Sequence, residues 1–196
     1  MKRIVIFASG SGSNAQRIIE YFREHRSHAE VVAVYTNNPN AYVIERCKAL
    51  QVTCRLFNRT DFYNSTTVLD MLQHDRAHLI VLAGFLWLIP PPLVHAYPQR
   101  ILNIHPALLP AYGGKGMYGH HVHEAVMANK EKESGITIHL VNEEYDKGAH
   151  LFQAKVNVTE SDTPDSLAQK IHELEHKHFP EVIDSYLQKL TFESTK

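Results

Sequence analysis

Short apolar runs of strand length alternate with amphipathic segments of helical spacing through the first half of this chain, and that alternation admits few folds. Strands are expected near 3–8, 31–36, 52–57, 78–83 and 100–104, with helices near 14–26, 41–50, 61–75 and 91–97 between them. Parallel strands need a crossover of helical length, whereas antiparallel ones can be joined by a tight turn. The pattern therefore predicts βαβ units and an α/β fold, a mostly parallel twisted sheet with helices on both faces. A later helix near 120–129, paired strands near 135–158 and a long helix from Pro164, with Thr163 as its cap, complete the expected elements. One domain over residues 1–196 is the default at this length, with the last residues, Glu193–Lys196, frayed.

Chemistry concentrates where the fifth strand ends, in Asn103-Ile104-His105-Pro106-Ala107-Leu108-Leu109-Pro110. A strand period of two turns Asn103 and His105 one way and Leu102 and Ile104 the other. Pro106 and Pro110 stop the strand, so an amide and an imidazole converge at a sheet edge, where open α/β sheets bind ligands. Near the N-terminus the apolar run Ile4–Phe7 leads into Ala8-Ser9-Gly10-Ser11-Gly12-Ser13-Asn14 and then a helical pattern of Ile18, Ile19 and Phe22. A small-residue loop before a helix lets backbone N–H groups approach an anion, so phosphate is the expected ligand, with Ser13 or Asn14 as helix cap. The loop has neither the Gly-x-Gly-x-x-Gly spacing nor the Gly-Lys-Ser/Thr ending of the common nucleotide loops. Between two strand-like runs, Ile136–Val141 and Leu151–Val156, a polar loop carries Asp146 beside Gly148. Acidic loop residues are usually just solvated, but a carboxylate here suits an imidazole that must carry charge.

Taken in order, these motifs resemble the phosphoribosylglycinamide formyltransferase family of folate-dependent enzymes. Gly12-Ser13-Asn14, Leu82–Phe85, Asn103–Pro110, the Asp146 loop and Glu175-His176 before Phe179-Pro180 all fall in family order. The resemblance implies a single formyltransferase-type domain with a phosphate-binding half over residues 1–100 and a folate and catalytic half over 101–190. It implies transfer of a formyl group from 10-formyltetrahydrofolate to glycinamide ribonucleotide, with Asn103, His105 and Asp146 catalytic and no metal. Gly12, Ser13 and Asn14 would hold the phosphate and Glu175 the ribose hydroxyls. Glu175 also reads as a solvated helix position beside the apolar stripe Leu167, Ile171 and Leu174. The pteridine would lie against Leu86, Leu88, Ile89, Val94, Ile101 and Val141, with backbone groups of 86–89 reading its edges. The chain departs from the family's commonest pattern at Trp87 and near Asn64, where arginines associated with the folate's glutamate tail are not matched.

The stretch from Ala111 to His123 has four glycines within residues 113–119 and reads either as a lid or as a plain surface excursion. His120, His121 and His123 lead into a helical run that would splay them, so a metal site is not expected, and His139 is expected to support the site from behind or to fill core. Cys47 and Cys54 show no metal spacing and suit reduced thiols in the cytosol. With 20 basic and 21 acidic residues, nothing favours nucleic acid. No segment is long enough to span a membrane, and the apolar run after Met1-Lys2-Arg3 ends too soon for a signal peptide. The expected partners are the two small molecules, with a homodimer left open. A formyltetrahydrofolate hydrolase would use the same trio with water, but carries a second His where this chain has Pro106 and usually a further N-terminal domain. A formyltransferase acting on initiator tRNA would need a C-terminal RNA-binding domain, and a non-catalytic binding module would have no need of Asp146.

Overall fold

The computed structural model describes residues 1–25 and 28–190, so the expected fraying of Glu193–Lys196 lies outside the described residues. The elements follow the expected alternation: β1 (Lys2–Phe7), α1 (Ser13–Glu24), β2 (Ala29–Thr36), α2 (Val43–Leu50), β3 (Thr53–Leu56), α3 (Arg59–Tyr63), α4 (Thr67–His74), β4 (Leu79–Leu82), α5 (Pro91–Ala96) and β5 (Ile101–His105). After them come α6 (His120–Ala128), β6 (Glu133–Leu140), β7 (His150–Asn157) and α7 (Pro164–Lys189). All seven strands form one sheet, in the order β3-β2-β1-β4-β5-β6-β7. The first five are parallel, while β6 and β7 add an antiparallel hairpin beside β5.

Strand alternation sorts the core into two layers. Ile4, Ile6, Val34, Leu79, Val81, Leu102 and Ile104 pack under α1, α2, α6 and α7. Val5, Phe7, Ala33, Tyr35, Ile80, Leu82 and Ile101 pack on the other face against Phe62, Val68, Leu72 and Leu93 of α3, α4 and α5. Strands buried on both faces read as continuous apolar runs, which is why β1 and β4 were legible.

One expected helix is two. The run near 61–75 breaks between α3 and α4, because short polar side chains there bind backbone and one another. Asn58 and Asp61 form a reciprocal capping box at the start of α3, and Ser65 Oγ donates to the Asp61 carbonyl. The cap on α7 is the expected Thr163, paired with Ser166.

Candidate active site

Strand order reverses between β1 and β4, and their carboxyl ends part there to leave a crevice. A cleft of about 820 Å³ occupies this point, a volume within the usual range for small-molecule sites. Ser9, 7% exposed, pins its mouth: the hydroxyl donates to Asn37 Oδ1 at 2.8 Å and accepts the Leu86 N–H at 3.2 Å, joining the ends of β1, β2 and β4.

At one end of the cleft lie Gly12, Ser13 and Asn14. The expected cap is displaced by one residue. Gly12 takes the cap position at φ +72°, with no side-chain cap hydrogen bond, and Asn14 Nδ2 donates instead to Glu175 Oε2 at 2.8 Å. No acidic residue occupies the first turn, so the N–H groups and positive end of α1 suit an anion. Glu175 is not a solvated helix position but is buried, 5% exposed, and accepts from His172 as well. A Cβ on Gly12 would run into the Val43 side chain, and a left-handed alanine costs about 1–2 kcal/mol on its own. Gly12→Ala is therefore expected to lower the melting temperature by several degrees, read by a thermal melt; an unchanged midpoint would show that the loop relaxes freely.

Within the cleft the antiparallel hairpin brings Asp146 to Asn103 and His105. Register pairs Asn103 with His139 and His105 with Thr137, and the turn after β6 folds back over them. Asp146 sits at φ +56°, a conformation that Asp tolerates better than most residues, and Gly148 passes so close to the Leu140 carbonyl that no Cβ would fit. The Asp146 Oδ2 accepts the Gly114 N–H at 3.0 Å and lies 3.5 Å from His105 Nδ1. Its Oδ1 lies 3.4 Å from both Asn103 Nδ2 and His139 Nε2. The Asn103 amide nitrogen also lies 3.1 Å from His139 Nε2, while His139 Nδ1 donates to the Leu140 carbonyl at 2.8 Å. His139 lines the cleft and sits against Asn103, whose longer bond to Asp146 is the one a ligand oxygen can replace.

His105 is 3% exposed, and its Nε2 donates to the Tyr112 carbonyl at 2.6 Å. Burial pulls the imidazole below its ordinary pKa, more than Asp146 and the Tyr112 carbonyl pull it up. Burial pushes the Asp146 carboxyl the other way, but His139, His105 and the Gly114 N–H together hold it below the usual carboxylate range. The resting pair is therefore a neutral imidazole beside an ionised carboxylate. A proton arriving at Nδ1 would place an imidazolium between two acceptors.

An apolar part of the cleft is lined by Leu86, Leu88, Ile89 and Val141. Val94 and Ile101, expected with them, do not line it. Ile101 lies two residues before Asn103, about 6–7 Å down the strand from the open edge, and is 1% exposed within the aromatic layer; Val94 packs against that same layer. Two backbone groups of this wall are already engaged, the Leu86 N–H by Ser9 and the Leu88 carbonyl by the Tyr63 hydroxyl at 2.9 Å. Residues 114–119 also line the cleft, so the glycine-rich stretch is part of it rather than a plain surface excursion. Among the described residues no three His, Cys, Asp or Glu side chains converge as metal ligands would.

Comparison with known proteins agrees with this geometry. The family model described as formyl transferase matches residues 2–183. The chain belongs to the formyl transferase family. It is 36% identical to phosphoribosylglycinamide formyltransferase of Bacillus subtilis, covering 95% of each chain. It is 41% identical to the chloroplastic phosphoribosylglycinamide formyltransferase of Arabidopsis thaliana over 93% of its own length, and spans 64% of that longer protein. Glycinamide ribonucleotide transformylase 1 of Symbiobacterium toebii superposes with a TM-score of 0.87 at 34% identity, covering 99% of this chain and 92% of the other.

For a formyl transferase, three residues in or beside the cleft lay outside the sequence reading. Tyr112 supplies the carbonyl on His105, and its hydroxyl is tied at 2.7 Å to Glu131 and at 2.9 Å to Asn129, beyond α6. Arg59 lies 5.7 Å over the Trp87 ring and 5.0 Å over Tyr63, so a cation stands beside the apolar wall although Trp87 itself carries none. His172 lines the cleft beside Glu175. Only Tyr112 had a local signal, its place in the loop just after the motif.

Proposed function

We propose that this chain transfers the formyl group of 10-formyltetrahydrofolate to the amino group of glycinamide ribonucleotide in purine biosynthesis. The observation that carries the reading is that Asn103, His105 and Asp146 line the same cleft as an uncapped helix N-terminus and an apolar wall. The helix end suits a phosphate, the wall suits a pteridine, and the trio lies where the two substrates would meet. Relatives of this name, at 34–41% identity over more than nine-tenths of this chain, support it.

The substrate amine attacks the formyl carbon, and the carbonyl oxygen becomes an oxyanion. The Asn103 amide exchanges its long bond to Asp146 for one to that oxygen, and His105 donates to it once the Tyr112 carbonyl releases Nε2–H. The proton lost by the amine is taken up with the help of Asp146 and His105, and the departing folate nitrogen receives a proton as the intermediate collapses. Each preorganised donor of this kind is worth about 3–4 kcal/mol. Glu175 Oε2 is held by Asn14 and His172, which leaves Oε1 for the ribose hydroxyls. We assign the folate's tail carboxylates to the rim beside Arg59.

The two small molecules are the proposed partners. No helix among the described residues is long and apolar enough to cross a membrane. Cys47 and Cys54 are free thiols and suit a reducing compartment, and we place the reaction in the cytosol.

A spectrophotometric assay of the purified protein with 10-formyltetrahydrofolate, with and without the ribonucleotide, tests the reading. Ribonucleotide-dependent release of tetrahydrofolate is expected; release without it would indicate hydrolysis, and none would indicate a binding protein. Because Asp146 is already ionised at mildly acidic pH, the rate should rise from about pH 6 to pH 8 as the attacking amine deprotonates. A flat profile over that range would contradict attack by the free amine.

A further inference from the structure

His105 ends β5, and its Nε2 donates to the carbonyl of Tyr112, seven residues on. Residues 106–111 therefore form a loop closed at its neck by the catalytic side chain itself. Pro106 and Pro110 have no N–H, so this loop has few backbone donors with which to fix itself. Ala107 and Leu109 are nonetheless buried, 0% and 4% exposed, and their backbone polar groups need partners.

A row of side chains across three strands supplies those partners. Register sets His105 of β5 opposite Thr137 of β6, and Thr137 opposite Gln153 of β7, so the three share one face of the sheet. The buried Thr137 hydroxyl donates to the Ala107 carbonyl at 2.7 Å and accepts the Leu109 N–H at 3.0 Å and a Gln153 Nε2–H at 2.9 Å. That fills every hydrogen-bonding position a hydroxyl has. Gln153 Nε2 also donates to the Leu109 carbonyl at 3.0 Å, and because a carbonyl can only accept, the orientation of the amide is settled. Leu109 is thus gripped at both its N–H and its C=O.

Neither Thr137 nor Gln153 lines the cleft, and Gln153 is an exposed residue on a strand at the edge of the sheet. Water would serve a surface amide as well as protein does, so its inward turn matters for the groups it completes rather than for itself. Building on the formyl-transfer reading above, we propose that Gln153, acting through Thr137, is a positioning residue for that reaction. It fixes the loop whose Tyr112 carbonyl orients His105 and keeps the ring proton on Nε2, the nitrogen that must donate to the oxyanion. A donor displaced by about 1 Å costs up to about a hundredfold in rate, so a distant amide can matter to turnover without touching substrate.

The test compares wild type with Gln153→Met, which keeps the side-chain length and loses both donors, with Thr137→Val and Thr137→Ser, and with the double variant Gln153→Met/Thr137→Val. Steady-state turnover of Gln153→Met should fall about tenfold, with KM for both substrates within about twofold of wild type. Thr137→Val should fall at least as far, Thr137→Ser should recover most of the rate, and the double variant should be no slower than Thr137→Val alone, because both residues act through one network. Nitrogen-15 NMR of the histidine rings in the free enzyme, read well below each melting midpoint, gives a second signature. His105 should appear as the Nε2–H tautomer with a slowly exchanging proton, and Gln153→Met should speed that exchange about tenfold. Wild-type turnover and exchange in Gln153→Met, a loss confined to KM, or additive losses in the double variant overturns the proposal. Failure of the wild type to form tetrahydrofolate in the turnover assay overturns instead the functional reading beneath it, and the exchange measurement still judges whether Gln153 holds His105.

Discussion

His105→Ala is expected to lower turnover at least about a hundredfold while leaving ribonucleotide affinity nearly intact, because the ring contacts Asp146 and the Tyr112 carbonyl and not the first turn of α1. Alanine removes three things at once: the donor now held by the Tyr112 carbonyl, a base 3.5 Å from Asp146, and a ring that fills the strand end. His105→Gln separates them. A glutamine amide can keep the bond to Tyr112 but can neither accept a proton nor carry charge. If Gln is as slow as Ala, the proton is the ring's contribution; if it restores turnover, hydrogen bonding is. Near-normal turnover in His105→Ala would remove the residue from the mechanism. Single-turnover kinetics at saturating concentrations of both substrates make the measurement, since chemistry is then separated from binding.

Asp146→Asn should be as damaging, and it is the sharper test of charge. Asparagine is nearly isosteric, shares the tolerance of Asp for a left-handed backbone, and retains an oxygen for the Gly114 N–H. Structure is thus preserved while the charge that would stabilise an imidazolium at His105 is removed. Turnover is expected to fall at least about a hundredfold, with both substrates still binding by calorimetry. A variant that loses binding as well would point to a structural role for the loop. The same carboxylate leaves a signature in stability. Its pKa is depressed in the folded protein, so its contribution is present above the unfolded carboxylate value and is lost as pH falls through the lower folded one. The melting-temperature gap between wild type and Asp146→Asn should therefore be full near neutrality and close below about pH 4. A gap independent of pH would mean that Asp146 is not preferentially ionised in the fold.

Much of this was legible because the signals are local. Alternation of apolar runs and amphipathic stretches requires parallel crossovers, and the period of two along β5 is enough to put Asn103 and His105 on one side of the strand and Leu102 and Ile104 on the other. The glycines and short polar residues after β1 marked a turn with open N–H groups. Where local rules competed, the reading slipped. The polar side chains of 64–66 divided one helix into two, and Asn14 was free to cap α1 until a partner from elsewhere claimed it. Ile101 and Val94 are apolar in either setting, and only depth below the sheet edge separates a cleft wall from a core.

By itself, then, the sequence determined which strands form, which way their side chains alternate and which residue types stand at their ends. Tertiary structure decided which of those ends meet. Pairing of β5 with β6 places His139 opposite Asn103, and the hairpin turn returns Asp146 to them across 43 residues. Docking of α7 on α1 buries Glu175 against Asn14, 161 residues away, and carries His172 with it. Periodicity is a property of neighbours along a chain and is silent about distant partners. Register and helix docking are chosen by the whole core at once, and the catalytic and phosphate ends of this cleft are consequences of that choice.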